Sequence, residues 1–242
     1  MAVVTAIDMK SFRTKLQAIN EKAFNEVYQY LLAHNYDIDD SFIDFCHAIT
    51  TKYGEAAGEL SCQLYDETVS YWKKVHASKK AFAPAEPAPV PTRSEVEKAV
   101  YGTMKTSSKE IPGAVQRLVK LTAEDTKIKN GMRDGAYFAW VPSGDACAFC
   151  LMLASNGWQK ISKKTLKNGH AEHIHANCNC TYAISLDAVD QYDSNVVKGY
   201  APRLYEREYN SVRGDNSKET LRNLRQKLYN ESKIGKYGDE AS

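Results

Sequence analysis

Two short cysteine motifs constrain this chain more than any other feature of its sequence. Cys147 and Cys150 form the motif CAFC, and Cys178 and Cys180 end the run HIHANCNC. His175 precedes Cys178 with two residues between them, so this second pair repeats the spacing of the first. A tight turn can direct two side chains with this spacing at one ion, as structural zinc sites do. The sequence therefore predicts one zinc site shared by the two segments.

A structural zinc site has four protein ligands, and the two segments offer five candidates. The expected set is Cys147, Cys150, His175 and one of Cys178 and Cys180, and the sequence leaves that last choice open. Because protein side chains would fill every position around the ion, no position remains for a reactive water. The site is therefore predicted to be structural and not catalytic. A cluster of reduced thiols without metal is the alternative, but four converging thiols would be prone to oxidation.

The remaining two of the six cysteines, Cys46 and Cys62, stand alone within helical patterns. A cysteine in such a position usually behaves as a small buried apolar residue, so we expect no chemical role for either. The start of the chain, MAVVTAIDMKSF, lacks the features of a secretion signal, and no apolar run reaches the roughly 20 residues of a membrane span. We therefore expect reduced cysteines and no membrane partner.

Apolar residues recur at intervals of three and four over residues 9–35 and again from about residue 40 to residue 72. This period predicts two long amphipathic helices that pack as a hairpin, with Asp40 or Ser41 as the cap of the second helix. Residues 81–93 then include four prolines, which cannot continue a helix and favour an extended connector.

A second helical part and a small mixed module follow the prolines. Ser94 and Glu97 have the spacing of a capping box, and helical patterns continue to Gly135, where the chain is expected to turn. The segments AYFAWVP (136–142) and CTYAIS (180–185) are typical of short β-strands. Because these strands bracket the cysteine motifs, a small α+β module is predicted around the metal.

The fold expected from these patterns is α+β and predominantly α. Its predicted units are an N-terminal helical hairpin over 1–80, a proline-rich linker over 81–93, a helical region over 94–135, a zinc-binding α+β module over 136–190 and a basic helical tail over 191–242.

The total charge of the chain does not indicate nucleic-acid binding, so the distribution of its basic residues must be considered. A net charge of +2 is too small to indicate a polyanionic partner, because binding to nucleic acid depends on locally dense lysine and arginine. Basic residues do recur in the tail, at Arg203, Arg207, Arg213, Lys218, Arg222, Arg225, Lys227, Lys233 and Lys236. Glutamates are interspersed among them, which favours a solvated helical surface. A nucleic-acid-binding tail is the alternative interpretation.

An enzymatic interpretation rests on the histidines between the two cysteine motifs. His170 and Glu172 spell the H-x-E of zinc deaminases, but the CAFC motif precedes this element where those enzymes have a cysteine pair after it. His170, His173 and His175 with Asn177 also suggest a nuclease in which a histidine activates water near a metal ion, although the pattern is incomplete. We expect no enzyme activity, and a zinc-dependent hydrolase or nuclease using His170, Glu172 and His173 is the alternative.

The run WVPSGDACAFCLMLASNGW, continued by GHAEHIHANCNCTYAI, resembles the zinc-binding core of phage minor head proteins related to the F protein of phage Mu. Residues 54–67, GEAAGELSCQLYDE, and the proline-rich linker also resemble the helical N-terminal half of one branch of these proteins. The positions that match the family pattern are Cys147, Cys150, Gly157, His175, Cys178 and Cys180.

This resemblance implies a minor capsid or head morphogenesis protein with a structural Zn²⁺ ion. Such a protein would be present in few copies in the phage head, and in the host cytoplasm during assembly. It would contact portal or capsid subunits and act in head assembly or DNA delivery. The basic C-terminal helices would then be placed to face packaged DNA.

Overall fold

The computed structural model describes residues 9–143, 146–167, 178–197 and 200–238. Two long helices, α1 (Met9–Ala33) and α2 (Asp40–Val75), form its N-terminal part and confirm the helices predicted from apolar periodicity. α1 ends at Ala33 and does not continue to residue 35. Asn35 and Tyr36 have φ angles of 52° and 60°, and a right-handed helix cannot continue through that conformation.

The cap of α2 is Asp39, so the prediction of Asp40 or Ser41 was wrong by one or two positions. The Asp39 carboxylate accepts a hydrogen bond of 2.8 Å from the backbone N–H of Phe42. Asp39 has the extended backbone that a capping residue requires, whereas Asp40 and Ser41 already belong to the first turn.

The third helix, α3 (Arg93–Met104), begins with a capping box formed by Thr92 and Glu95. The Glu95 carboxylate accepts a 2.8 Å hydrogen bond from the N–H of Thr92, and the Thr92 hydroxyl accepts one of 3.4 Å from the N–H of Glu95. The predicted box of Ser94 and Glu97 was therefore two residues too late. Both pairs have the same spacing, and the helix starts at the one that immediately follows the prolines.

Helix α4 (Ile111–Asp134) is the centre of the helical part and packs against α1, α2 and α3. A short 3-10 helix, Ser108–Glu110, leads into it. Gly135, with a φ of 72°, ends α4 in the left-handed conformation, which confirms the predicted turn.

The proline-containing segment lies against α2 and α4. The backbone N–H of Glu86 donates to the Asn130 side chain at 3.0 Å, and that of Ala88 donates to the Thr126 hydroxyl at 2.9 Å. On α2, a Cβ added to Gly54 or Gly58 would come within 3.1–3.2 Å of side-chain atoms of this segment, so the glycines allow its close approach. The segment is docked, and the division of the chain at 81–93 stays a prediction.

A three-stranded antiparallel sheet follows α4, with strand order β2-β1-β3. The strands β1 (Tyr137–Val141) and β3 (Thr181–Ser185) confirm the two predicted strands, and Ala139 pairs with Ala183 at the middle of their register. The third strand, β2 (Gln159–Lys160), was not predicted, because two residues carry no alternating pattern.

Four further helices complete the described part of the chain. In sequence, α5 (Ala148–Ala154) lies between β1 and β2, and α6 (Lys163–Lys167) lies between β2 and β3. α7 (Pro202–Ser211) and α8 (Ser217–Gly238) follow the sheet and pack on α5 and on each other. The fold is therefore α+β and predominantly α, as predicted.

Two apolar clusters form the core, one within the helical part and one around the sheet. Helices α2 and α4 contribute to both clusters, and Leu121 of α4 packs against each of them. The helical part and the sheet are consequently joined by continuous packing. None of the helices in the described ranges combines the length and apolar character needed to cross a membrane.

Candidate metal centre

Two separate elements position the four clustered cysteines. Cys147 is the N-cap residue of α5, and its carbonyl accepts the N–H of Leu151 at 3.0 Å. Cys150 follows in the first turn of that helix and is fully buried. Cys178 and Cys180 come immediately before β3, and both are buried. The start of a helix and the start of a strand therefore meet at one point.

The sulfur atoms of Cys150, Cys178 and Cys180 all lie within 4.8 Å of one another, and those of Cys150 and Cys178 are 3.4 Å apart. A tetrahedral ion with Zn–S bonds of about 2.3 Å would hold its sulfurs about 3.8 Å apart, so the observed separations fit one ion. A disulfide would need about 2.05 Å, and all of these cysteines are free.

Cys147 lies next to this cluster and is half-buried. Its side chain forms a hydrogen bond with the Cys150 thiol, so four thiols converge. His175, the remaining ligand candidate, lies outside the described residues, as do His170, Glu172 and His173. The predicted roles of these four residues therefore stay predictions.

The contacts among the thiols favour one thiolate within the cluster. Hydrogen bonds from Cys150, Cys178 and Ser143 lower the pKa of Cys180, and the backbone N–H of Ser143 lies 3.3 Å from its sulfur. Hydrogen bonds with Cys147, Cys178 and Cys180 instead raise the pKa of Cys150. A metal binds thiolates, so the hydrogen bonds that favour the charged form of Cys180 favour the form in which it would be a ligand.

A buried polar network on α4 holds the start of β3 beside the cysteines. The Glu124 carboxylate accepts hydrogen bonds from the Thr181 hydroxyl at 2.6 Å and from the Tyr182 N–H at 2.9 Å. The Lys127 ammonium pairs with Glu124 at 2.8 Å and donates to the Tyr182 carbonyl at 3.1 Å. Lys120 lies one helical turn before Glu124, and its ammonium donates to the carbonyl of Cys178. All three α4 side chains are buried.

Burial lowers the pKa of Lys127 to about 8, and the neighbouring Glu124 carboxylate opposes this shift. Glu124 therefore favours the ammonium form of Lys127. An ammonium kept in a closed interior requires a nearby negative charge, because an unpaired buried charge is strongly destabilising.

Helix α1 also reaches the centre, through Arg13. Its guanidinium donates to the carbonyls of Val141 at 2.8 Å and Pro142 at 3.3 Å, at the end of β1. The next residue, Ser143, is the one that donates to Cys180. Through these contacts the N-terminal helix is linked to the cysteine cluster, although the two are far apart in sequence.

The sequence interpretation missed these charged residues. Lys120, Glu124 and Lys127 recur at intervals of four and three, which is the spacing of one helix face, and apolar neighbours surround them in sequence. Charged residues on an otherwise apolar helix face were the sequence signal that could have predicted this buried polar network. The position of Arg13 had no local signal, because it depends on how α1 packs.

The family model described as VG15 protein matches residues 3–212. No curated protein and no solved structure matches the chain. The chain belongs to the VG15 protein family, a family of viral (phage) proteins.

Proposed function

We propose that this member of the VG15 family is a non-enzymatic structural protein of the phage head, with a minor capsid or head morphogenesis role. The family match over residues 3–212 is the observation that supports this proposal most directly. The resemblance of residues 140–158 and 169–184 to phage minor head proteins supports the finer assignment.

We further propose that the cysteine cluster binds one structural Zn²⁺ ion. Thiolates are soft ligands that suit zinc, and the three buried sulfurs have separations that one tetrahedral ion fits. With Cys147 or His175 as a fourth ligand, protein groups fill all four positions. The ion would then hold the start of α5 against the start of β3. Residues 168–177, which precede Cys178 and β3, include few apolar side chains that could take over this role.

The proposed partners are portal or capsid subunits and packaged DNA. Support for a DNA contact comes from α8, where Lys218, Arg222 and Arg225 are exposed and recur at intervals of four and three. These side chains therefore lie on one face of α8. Two acidic neighbours are only partly exposed: Glu219 pairs with Arg222 at 3.2 Å, and Glu208 of α7 pairs with Lys227 between the two helices.

The structural role can be tested in the phage that encodes the chain. Its gene would be deleted and complemented with wild type, Cys150→Ser or Cys46→Ser, and purified heads would be examined by mass spectrometry and electron microscopy. We expect the wild-type chain and the Cys46→Ser control in a few copies per head, and defective heads with Cys150→Ser. Normal heads and full infectivity without the gene would contradict the proposal.

The DNA contact has its own test, the salt dependence of binding to a short duplex. Replacing Arg222 and Arg225 with glutamine should weaken binding, and the slope of log affinity against log salt should become less steep by about 0.9 for each phosphate that is no longer neutralised. The control replaces Lys105 and Lys109, two exposed lysines of the helical part, and removes the same charge. Equal effects of the two double variants would exclude a specific role for α8.

A further inference from the structure

The surroundings of the cysteine cluster contain more positive than negative charge. Arg13, Lys120 and Lys127 contribute three cations, and Glu124 contributes one carboxylate. Arg13 interacts electrostatically with the thiols of Cys180 and Cys178 as well as with Glu124. Glu124 is paired with Lys127, so the charges of Arg13 and Lys120 are left without a carboxylate partner here among the described residues.

The contacts of these two cations are with neutral groups. The Lys120 ammonium donates to the Cys178 carbonyl and lies 5.9 Å from the centre of the Trp140 ring. The Arg13 guanidinium donates to two backbone carbonyls, and its buried Nε has no hydrogen-bond partner in the described part of the chain. Such contacts satisfy donors but supply no negative charge. Lys120 is only 3% exposed, so solvent compensates little of its charge.

A metal centre next to them would supply that charge. A divalent ion with four thiolates carries two negative charges, whereas an ion with three thiolates and a neutral imidazole carries one. The excess of two positive charges therefore matches the four-thiolate centre. Cys147, which already contacts Cys150, is the fourth thiol within reach.

We propose that Cys147, Cys150, Cys178 and Cys180 form a four-thiolate centre, and that Arg13 and Lys120 are its charge-compensating partners. This inference rests on the metal site of the proposed function and names its ligands. Helices α1 and α4 then take part in holding the ion, although neither supplies a ligand. His175 is not required for metal binding.

The charge partners are tested by metal competition with a chromophoric chelator, using Zn²⁺ as the probe. Lys120→Met keeps the length of the side chain and removes its charge, and it should weaken binding about 10–100-fold, as loss of a group that supports metal ligands does. Lys129→Met is the matched control, because Lys129 is also on α4 but its side chain is 45% exposed. It should leave the affinity within about twofold, since exposed charges are screened.

Arg13 offers a second pair of variants that separates charge from folding. Arg13→Lys keeps the charge and should bind nearly as tightly as wild type, whereas Arg13→Met should bind more weakly. This pair remains informative if Lys120→Met fails to fold, because Arg13 is half-buried and lies on a different helix. Unchanged affinity in both Arg13→Met and Lys120→Met would overturn the charge-partner role.

The ligand set is tested with Co²⁺, whose thiolate charge-transfer absorption rises with the number of sulfur ligands. His175→Ala should keep the wild-type spectrum and one ion per chain, whereas Cys147→Ser should lose absorption or the ion itself. The reverse result would assign His175 as the fourth ligand and overturn the four-thiolate centre. Absence of any metal from wild type would instead refute the metal site of the proposed function.

Discussion

Glu124 and Lys127 form an ion pair inside the protein, with 2.8 Å between the Glu124 Oε2 and the Lys127 Nζ and neither side chain more than 1% exposed. Both residues also bind backbone groups of Tyr182, so the pair fastens α4 to the start of β3. Cys180 lies just before that strand, and the position of the metal centre therefore depends on this pair.

Removing one partner of this pair should be costly. Glu124→Gln is expected to lower the free energy of unfolding by about 3–5 kcal/mol, because Lys127 is left as an uncompensated buried charge. The double variant Glu124→Leu, Lys127→Met should lose less free energy of unfolding than Glu124→Leu and Lys127→Met lose in sum when each is made alone. Urea denaturation measures these differences.

The matched control is the exposed pair of Glu86 and Lys129, which has an N–O distance of 3.1 Å and also involves α4. Glu86→Gln should change the free energy of unfolding by no more than about 1 kcal/mol. Similar losses in Glu86→Gln and Glu124→Gln would show that burial does not increase the contribution of the Glu124–Lys127 pair to the free energy of unfolding.

Gly157 should tolerate no side chain. Its φ is 63°, and an added Cβ would lie 2.1 Å from the carbonyl oxygen of Gln191, the same oxygen that accepts the N–H of Trp158 at 2.7 Å. Gly157→Ala is expected to destabilise the protein by more than about 2 kcal/mol, since both the backbone and the neighbouring carbonyl must shift. Thermal unfolding measures the loss.

Gly102, within α3, is the control for this substitution. A Cβ there would meet no atom within 4 Å, and alanine favours a helix over glycine by about 1 kcal/mol. Gly102→Ala should therefore leave the melting temperature unchanged or raise it. An equal loss at both positions would argue against the close approach of residues 157 and 191.

The hydrogen bond between Glu26 and Tyr53 predicts a pH dependence. The Tyr53 hydroxyl donates to the Glu26 carboxylate, and this hydrogen bond lowers the pKa of Glu26 below its ordinary value of 4.5. A carboxyl group with a lower pKa in the folded state stabilises the fold above pH 4.5, and that stability is lost as the pH falls through the lowered pKa. The wild type should thus exceed Tyr53→Phe in unfolding free energy by more at about pH 7 than at about pH 3. A difference independent of pH would contradict the assignment.

Much of the fold follows from local patterns. The periodicity of α1, α2 and α4, the turn at Gly135 and the strands β1 and β3 could be predicted, because each depends on residues close in sequence. The predicted caps of α2 and α3 were displaced by one or two residues, since several neighbouring side chains could serve equally well. The strand β2 escaped prediction because its two residues pair with β1 only through the tertiary fold.

The candidate site likewise has one part that local sequence predicts and one part that it does not. The cysteines could be found from their spacing, whereas the convergence of Arg13, Lys120, Glu124 and Lys127 on them depends on packing between distant segments. Cys46 and Cys62 are buried, as expected for isolated cysteines in helices. Burial raises the pKa of Cys46 to about 12, so its thiol is unreactive and suits a control variant.

Metal content tests the central claim most directly. Elemental mass spectrometry on protein purified without added metal should find about one zinc ion per wild-type chain and per Cys46→Ser chain. Cys150→Ser should have lost the ion, because that variant removes the most buried sulfur of the cluster. A wild-type protein without metal, or an ion that remains in Cys150→Ser, would contradict the account.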